Sequence, residues 1–415
     1  MHSPSFHAHH SPLGAYATFT CGQHGAGGGM TIAGRAPAKH PLTVGYVRAG
    51  VLHELPFSSG EDGVSLDNYA EEVGGVEANN QRVVLDGSQR RYAAGSDSWT
   101  AGALRFTIHT PVWSLPDPEI DGDAELQDYL LPAVVCELEF DNSDSAEACE
   151  IIFAMRPGNP VNHLLPGGGL TKALTWDRQF ALAAVCDEGV ESWVHWDVQE
   201  YVREHRSHRL GGLAGLSCEI PAGERRCLRI ICAFHDPMAA TTGIEAPAWY
   251  LRRYGSLAAV VDSAAQRFEA IVARTAEMDQ ELEQSGLDPN QQFLVAHSQR
   301  SYWGNTHLLN DGGRPLWVVY EGEYAMINTF DLSVDQCFYE MRRNPWLVRN
   351  ICDQFVQRYS YYDTLNRPAS DAALRAKRVT MCRDPQRLHE LVPEPIQRGL
   401  PGGISFAHDM GVYPH

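Results

Sequence analysis

The spacing of apolar residues changes once along this chain, near residue 240, and that change constrains the fold more than any other feature. Before it, apolar and polar side chains alternate. Leu104, Phe106 and Ile108 are interleaved with Arg105, Thr107 and His109, and Val134, Cys136, Leu138 and Phe140 flank Glu137 and Glu139. Successive side chains of a strand point to opposite faces, so this period marks half-buried strands. The pattern returns at 151–153, 180–185, 190–196 and 228–232. Turn-forming stretches separate the runs: DNSDS from Asp141, PGNP from Pro157, PGGG from Pro166 and PAGE from Pro221. Many short strands with no helical pattern between them predict an all-β first part, a β-sandwich.

Beyond the change, Val261, Ala264, Ala265, Phe268, Ile271, Val272, Thr275 and Leu282 fall three or four apart. That spacing predicts one long amphipathic helix. Gly286 suits its end, and Asp288-Pro289 supplies the cap and first-turn proline of a helix carrying Phe293, Ala296, Arg300 and Tyr302. A further helix is expected from near Asp331 and stops before Asn344-Pro345. There the asparagine can cap, and the proline can open another helix through Val356. The second part therefore reads as helical and antiparallel, and 366–398 as a long surface excursion.

Composition narrows the partners. A net charge of −19 disfavours nucleic acid and anionic membranes but leaves neutral carbohydrate open. No uninterrupted apolar stretch approaches a membrane span, and the first residues lack the basic and apolar regions of a secretory signal. The ten cysteines never form CxxC, and Cys136, Cys186 and Cys232 lie in apolar runs. Buried free thiols in a cytoplasmic protein are the expectation.

Chemistry concentrates in WVVYEGEYAMINTFDLSVDQ, from Trp317 to Gln336. An apolar run ends in Glu321 and Glu323, followed by aromatic, amide and acidic residues, on a connection between helices. Carboxylates can handle protons and stabilise an oxocarbenium-like centre while amides and rings hold a sugar; a solvated turn is the plainer reading. Two residues apart on an extended segment, the acids point the same way about 7 Å apart. Retaining glycosidases hold their carboxyls about 5–5.5 Å apart and inverting ones about 6.5–9.5 Å, so spacing alone does not choose. A sugar must lie between a working pair, which makes one of the two acids a supporting group.

Other clusters carry less. The histidines His2, His7, His9 and His10 lack a cysteine or carboxylate at ligand spacing, so a structural or site-lining role is expected and no metal. No GK[ST] follows the glycines of CGQHGAGGG, which read as a hairpin loop. No GxSxG elbow is present. Near the end, His408 and Asp409 pair a proton-transfer group with an acid.

The run WVVYEGEYAMINTFDLSVDQCFYEMRRNPWLVRNICDQFVQRYSY resembles the catalytic stretch of glycoside hydrolase family 52, the bacterial β-xylosidases. AHHSPLGAYATFT, SDSWTAGALRFTIHTPV, LPAVVCELEFDN, AHSQRSYWGNTHLL and GGISFAHDMGV agree in the same order. The resemblance implies a multidomain α and β protein: a β-sandwich (1–245), a helical linker (246–287) and the first helices of an incomplete (α/α)6 barrel (288–415). It implies hydrolysis of terminal β-1,4-linked xylose from xylo-oligosaccharides with retention, no cofactor, and Glu321 as nucleophile. Glu323 becomes a substrate-side neighbour, and Asn328, Thr329, Asp331, His408, Asp409 and Arg300 are the further candidates for holding sugar. Two departures stand out. Tyr320 occupies a position where the family pattern has Asn, and the family continues well past HDMG to its acid/base Asp. Impaired turnover, and exposed helix faces that favour a homodimer, are therefore expected. The alternatives are a sugar-binding module without catalysis and a β-glucosidase of the same architecture.

Overall fold

The computed structural model describes residues 5–33, 38–58, 82–238, 246–322, 326–358, 360–365 and 400–406, the last two stretches as backbone strands. It is a mixed α and β protein. Its contacts group into two compact units: Met1–Val112 with Leu131–Asp236 and Arg252–Gly304, and Trp113–Leu130 with Pro237–Leu251 and Asn305–His415.

Two large sheets build the first unit. The eight-stranded sheet runs, in spatial order, Asn162–Leu164, Thr171–Trp176, Phe180–Val185, Arg225–Phe234, Ala133–Asp141, Leu104–His109, Ser96–Ala101 and Gln89–Tyr92. The six-stranded sheet runs Val190–His195, Leu213–Ile220, Cys149–Met155, Leu42–Arg48, Val51–Glu54 and Arg82–Val84. The alternating residues set the register. Leu138 lies opposite Phe106, Cys136 opposite Ile108 and Phe140 opposite Leu104, so all six share one pleated face and all are buried. Rings from the two sheets meet across it: Phe106 and Phe153 at 5.8 Å between centroids, Tyr46 and Phe140 at 4.4 Å. A three-stranded sheet, Ala8–His10, Ala17–Cys21 and Gly29–Ile32, contains the glycine-rich stretch as a hairpin loop, as expected.

Helices also cover part of the polar side of the eight-stranded sheet, although Arg105 stays exposed and Glu137 and Glu139 partly so. Helix Leu257–Gln266 packs on Arg225–Phe234 and Phe180–Val185, and helix Phe268–Glu283 on Ser96–Ala101 and Leu104–His109. Thr107 and His109 are buried as a result, and His109 keeps a partner through Nε2 at 2.9 Å from Glu137. The single long helix read from the spacing is in fact two, broken at Arg267 (φ −102°, ψ 4°). The break lets each half lie on a different set of strands of a twisted sheet. The Asp279 carboxylate then pins the second half, accepting from the Gly95 and Ser96 amides at 2.7 and 3.2 Å and from the Ser96 hydroxyl.

Three smaller expectations are corrected. The first part is not purely β: short helices occupy Asp123–Tyr129 and Val198–Glu204, the second capped by Asp197, whose carboxylate accepts from the Gln199 and Glu200 amides. Cys186 is exposed, because it follows the last residue of its strand, whereas Cys136 and Cys232 are buried. The Asn344 amide does not cap the helix that follows. It receives the Leu115 amide at 2.6 Å and donates to Glu340 at 2.8 Å. The nine cysteines among the described residues are free thiols. No helix among them is long and apolar enough to cross a membrane.

Gly215 shows how closely the six-stranded sheet is packed. It lies opposite Trp193, whose ring stacks on Tyr201 with centroids 3.6 Å apart, and a Cβ at 215 would fall 2.2 Å from that ring. Gly215→Ala is therefore expected to displace the tryptophan and lower stability by about 1–3 kcal/mol, the usual cost of overpacking. Urea unfolding, with near-ultraviolet circular dichroism as the probe, measures both effects; an unchanged midpoint would contradict this account.

Candidate active site

The second unit holds Glu321 on a scaffold that the sequence reading did not contain. Between helices Pro289–Gly304 and Phe330–Arg343 the chain forms a hairpin, Thr306–Asp311 paired with Arg314–Val319. Its two-residue turn is Gly312-Gly313, both at positive φ (60° and 95°), the backbone that matches strand twist and that glycine adopts without strain. Asn310 closes it by accepting the Gly313 amide at 2.8 Å. Leu308, Leu309, Leu316, Trp317 and Val318 are buried, while the turn end of the hairpin is exposed.

Two asparagines complete the outer edge of Arg314–Val319, where backbone groups would otherwise lack partners. Asn350, on helix Pro345–Arg358, accepts the Trp317 amide at 2.8 Å and donates to the Pro315 carbonyl at 2.7 Å. Asn328 accepts the Val319 amide at 2.8 Å and donates to the Trp317 carbonyl at 2.9 Å. Asn328 sits at φ 46°, in the left-handed region that asparagine tolerates better than most residues, and its own amide donates to Val319 at 2.9 Å. Its amide group thus shapes the exit from the strand. Tyr320 then bridges Ile327, and the Glu321 amide donates to Met326 at 2.9 Å. Buried Tyr320 also lies 3.3 Å, through its hydroxyl, from Nδ1 of His307. Burial pushes the His307 imidazole down to about 3, so it is neutral at physiological pH.

Glu321 emerges half-buried at the end of this locked segment. Thr329 donates its hydroxyl to Oε2 of Glu321 at 3.1 Å, and among the described residues no other side chain hydrogen-bonds this carboxylate. Thr329 is the residue before helix Phe330–Arg343, yet its side chain makes no capping bond to that helix. Its proton is directed across the loop instead. The arrangement offers one ionisable acid, fixed by a neutral donor, at a half-open position: a geometry suited to nucleophilic attack.

The other candidates fall in several places. Thr329 and Asn328 are brought to Glu321 and its strand; Asp331 is exposed in the first helical turn, where an acid complements the helix dipole. Arg300 belongs to the first unit and is 2% exposed. Its guanidinium donates to the Ala93 carbonyl at 3.2 and 3.1 Å and to the Thr110 hydroxyl at 2.7 Å, which anchors helix Pro289–Gly304. Glu323, His408 and Asp409, and the excursion 366–398, lie outside the described residues. Asn350 and His307 were missed by the sequence reading. No spacing announces them, because each acts on backbone or hydroxyl groups distant in sequence.

The segment Trp113–Leu130 braces the helices that carry the site. Trp346 donates to the Leu115 carbonyl at 2.9 Å, and Arg349 pairs with Asp117 at 2.7 Å. Helices Phe330–Arg343 and Pro345–Arg358 form an antiparallel pair, closed by Phe330 edge-on to Phe355 at 5.1 Å.

The model of "Glycosyl hydrolase family 52" matches residues 19–415 of this chain. A β-xylosidase from Geobacillus stearothermophilus is 32% identical over 420 residues, covering 98% of this chain and 56% of the relative. A second β-xylosidase from the same organism is 29% identical over 426 residues, covering 98% of this chain and 65% of the relative. The chain thus spans between about half and two thirds of the length of these relatives. Among solved structures, an inverting mannosidase of family GH92 from Bacteroides thetaiotaomicron aligns with 78% of this chain and 40% of that one, at 10% identity and a TM-score of 0.34, too slight a likeness to build on.

Proposed function

The chain belongs to glycosyl hydrolase family 52, and from that premise we propose that Glu321 is the nucleophile of a retaining β-xylosidase acting on terminal β-1,4-linked xylose of xylo-oligosaccharides. The observation that carries this reading is the Thr329 hydroxyl bonded to one oxygen of Glu321. It fixes the carboxylate in orientation and leaves the other oxygen for the anomeric carbon. Attack forms a glycosyl ester with departure of the sugar or aryl oxygen, and water hydrolyses the ester in a second step, which restores the original anomeric configuration. In this reading a second carboxyl group, held about 5–5.5 Å from the nucleophile as in other retaining glycosidases, gives the proton to the leaving oxygen. The xylose assignment rests on the names of the two similar β-xylosidases.

In the same reading the facing sheets form a β-sandwich over 1–245, the helices within 246–287 are a linker lying on it, and the helical pair after residue 288 opens an (α/α)6 barrel. Asn328 and Arg300 are assigned to structure. Thr329 is assigned to positioning the nucleophile.

Thr329→Val tests the positioning. It keeps the shape of the side chain and removes the donor, a hydrogen bond to a charged group worth about 1.5–3 kcal/mol. The rate at which an activated xyloside with a phenolate leaving group acylates the chain should fall about 10- to 100-fold, while circular dichroism stays unchanged. Wild-type rates in this variant would remove Thr329 from the mechanism.

A further inference from the structure

We propose that His195, Glu204 and His208, in the first unit, form a binding site for a divalent cation of the zinc class. The three ligand atoms lie within 4.8 Å of one another. Oε2 of Glu204 is 3.8 Å from Nε2 of His195 and 3.4 Å from Nε2 of His208. Zinc bound at about 2.0–2.2 Å in tetrahedral geometry holds neighbouring ligands about 3.3 Å apart, so the cluster needs only a small contraction. Two imidazoles and one carboxylate suit a borderline transition cation and not calcium or magnesium, which take oxygen donors.

An ordinary surface contact explains only part of the cluster. Glu204 and His208 are partly exposed and lie 3.4 Å apart, on the helix end and the loop after it. His195 is different. It is 2% exposed, and its Nε2 has no hydrogen-bond partner among the described residues although it faces Glu204. A buried polar atom without a partner is costly and asks for an explanation, and a cation held jointly with the two outer ligands provides one.

The backbone places the donors independently of any ion. His195 ends the edge strand Val190–His195, and Glu204 ends helix Val198–Glu204. His205 then reverses the chain at φ 48°, ψ 44°. The His208 amide donates to the Val194 carbonyl at 2.7 Å, and the Val194 amide to the Ser207 hydroxyl at 3.0 Å. The loop is thereby laid along the strand, and the two imidazoles stand edge to face with centroids 4.5 Å apart. One rearrangement accompanies binding. The Asp197 amide donates to Nδ1 of His195 at 3.2 Å, which puts the ring proton on Nε2. Coordination through Nε2 moves that proton to Nδ1 and breaks the Asp197 bond, which sets the site at moderate affinity. The ion would clasp strand, helix and loop together, with water in the fourth position.

The test uses the full chain, stripped with a chelator and dialysed against Zn²⁺ in competition with a chromophoric chelator. One equivalent should bind at micromolar or lower free zinc, Co²⁺ should give visible bands of four-coordinate intensity, and zinc should raise the thermal midpoint. Glu204→Gln and His208→Ala, both on the partly exposed side of the cluster, should each weaken binding at least tenfold and abolish the thermal shift. A His7→Ala, His9→Ala double variant should bind as the wild type does. The proposal is overturned if no equivalent binds, if binding survives both cluster substitutions, or if it is lost only with the N-terminal histidines.

Discussion

Incubation with a dinitrophenyl 2-deoxy-2-fluoro-β-xyloside is expected to release dinitrophenolate stoichiometrically and leave a fluoroxylosyl ester on Glu321. Dinitrophenolate departs without a proton, so this experiment reports the nucleophile alone and is insensitive to where the acid comes from. The carboxylate must approach the anomeric carbon in line with the leaving oxygen. The locked exit from the strand and the Thr329 hydroxyl supply that orientation. In Glu321→Gln the side chain keeps its size but loses its charge and nucleophilicity. Labelling should slow by about 10⁴-fold or more, the scale on which enzymes lose rate when a covalent nucleophile is removed. Peptide mapping by mass spectrometry locates the ester. An ester on a different carboxylate, or labelling that persists in Glu321→Gln, would sink the assignment.

Asp97→Asn is expected to cost about 3–5 kcal/mol of stability, the scale for leaving a buried charge without its partner. The side chains of Asp97 and Arg90 are both completely buried and joined in a fork, Nε to Oδ1 at 2.9 Å and Nη2 to Oδ2 at 2.7 Å. Arg90 further donates to the Phe6 carbonyl at 2.8 Å and lies 4.1 Å above the Phe6 ring, so losing its counter-charge disturbs the N-terminal segment as well. Burial alone would raise the Asp97 carboxyl. The hydrogen bonds from Arg90 and His10 outweigh it and hold the group below its ordinary value. Its contribution is therefore complete above the unfolded value near 3.8 and is lost as pH falls through the lower folded one.

His10 adds a second slope. Both of its ring nitrogens face acceptors, Phe19 O at 2.9 Å and Asp97 Oδ2 at 3.0 Å. Burial, helped by the Arg300 charge, outweighs the pull of Asp97 and holds its pKa down to about 4. The unfolded chain takes up this proton near pH 6.5 and the folded one does not, so stability falls between pH 6.5 and about 4. Urea unfolding of both forms from pH 7 to 3 checks these claims. Equal stability of Asp97→Asn and wild type at pH 7 would refute the first.

Strand alternation was readable because the pleat imposes period two whatever surrounds it, and the register of Phe106 and Leu138 follows from it. What covers the second face was not readable, since Thr107 and His109 look alike whether water or a helix lies above them. Nor was the break at Arg267: no glycine or proline marks it, and the apolar spacing runs through. The Gly312-Gly313 turn between apolar runs did carry a hairpin signal, overlooked because its neighbours on both sides are helical. At the site, the residue types left Glu321 and Glu323 as alternatives and only the family resemblance chose between them, while the bond from Thr329 to Glu321 depends on a contact across the loop. Arg300 reads as a surface cation in a helical pattern, and only the packed structure reveals a guanidinium enclosed by backbone.

The uncapped start of helix Phe330–Arg343 puts local folding and chemistry in opposition. A threonine there would ordinarily turn its oxygen toward the first-turn amides; here its hydroxyl is directed to Glu321. Aspartate, the stronger cap, is closed to this position because it would set one carboxylate against another. Under the role proposed for Glu321, a tighter helix start and a steadier nucleophile make competing demands on the one Thr329 hydroxyl.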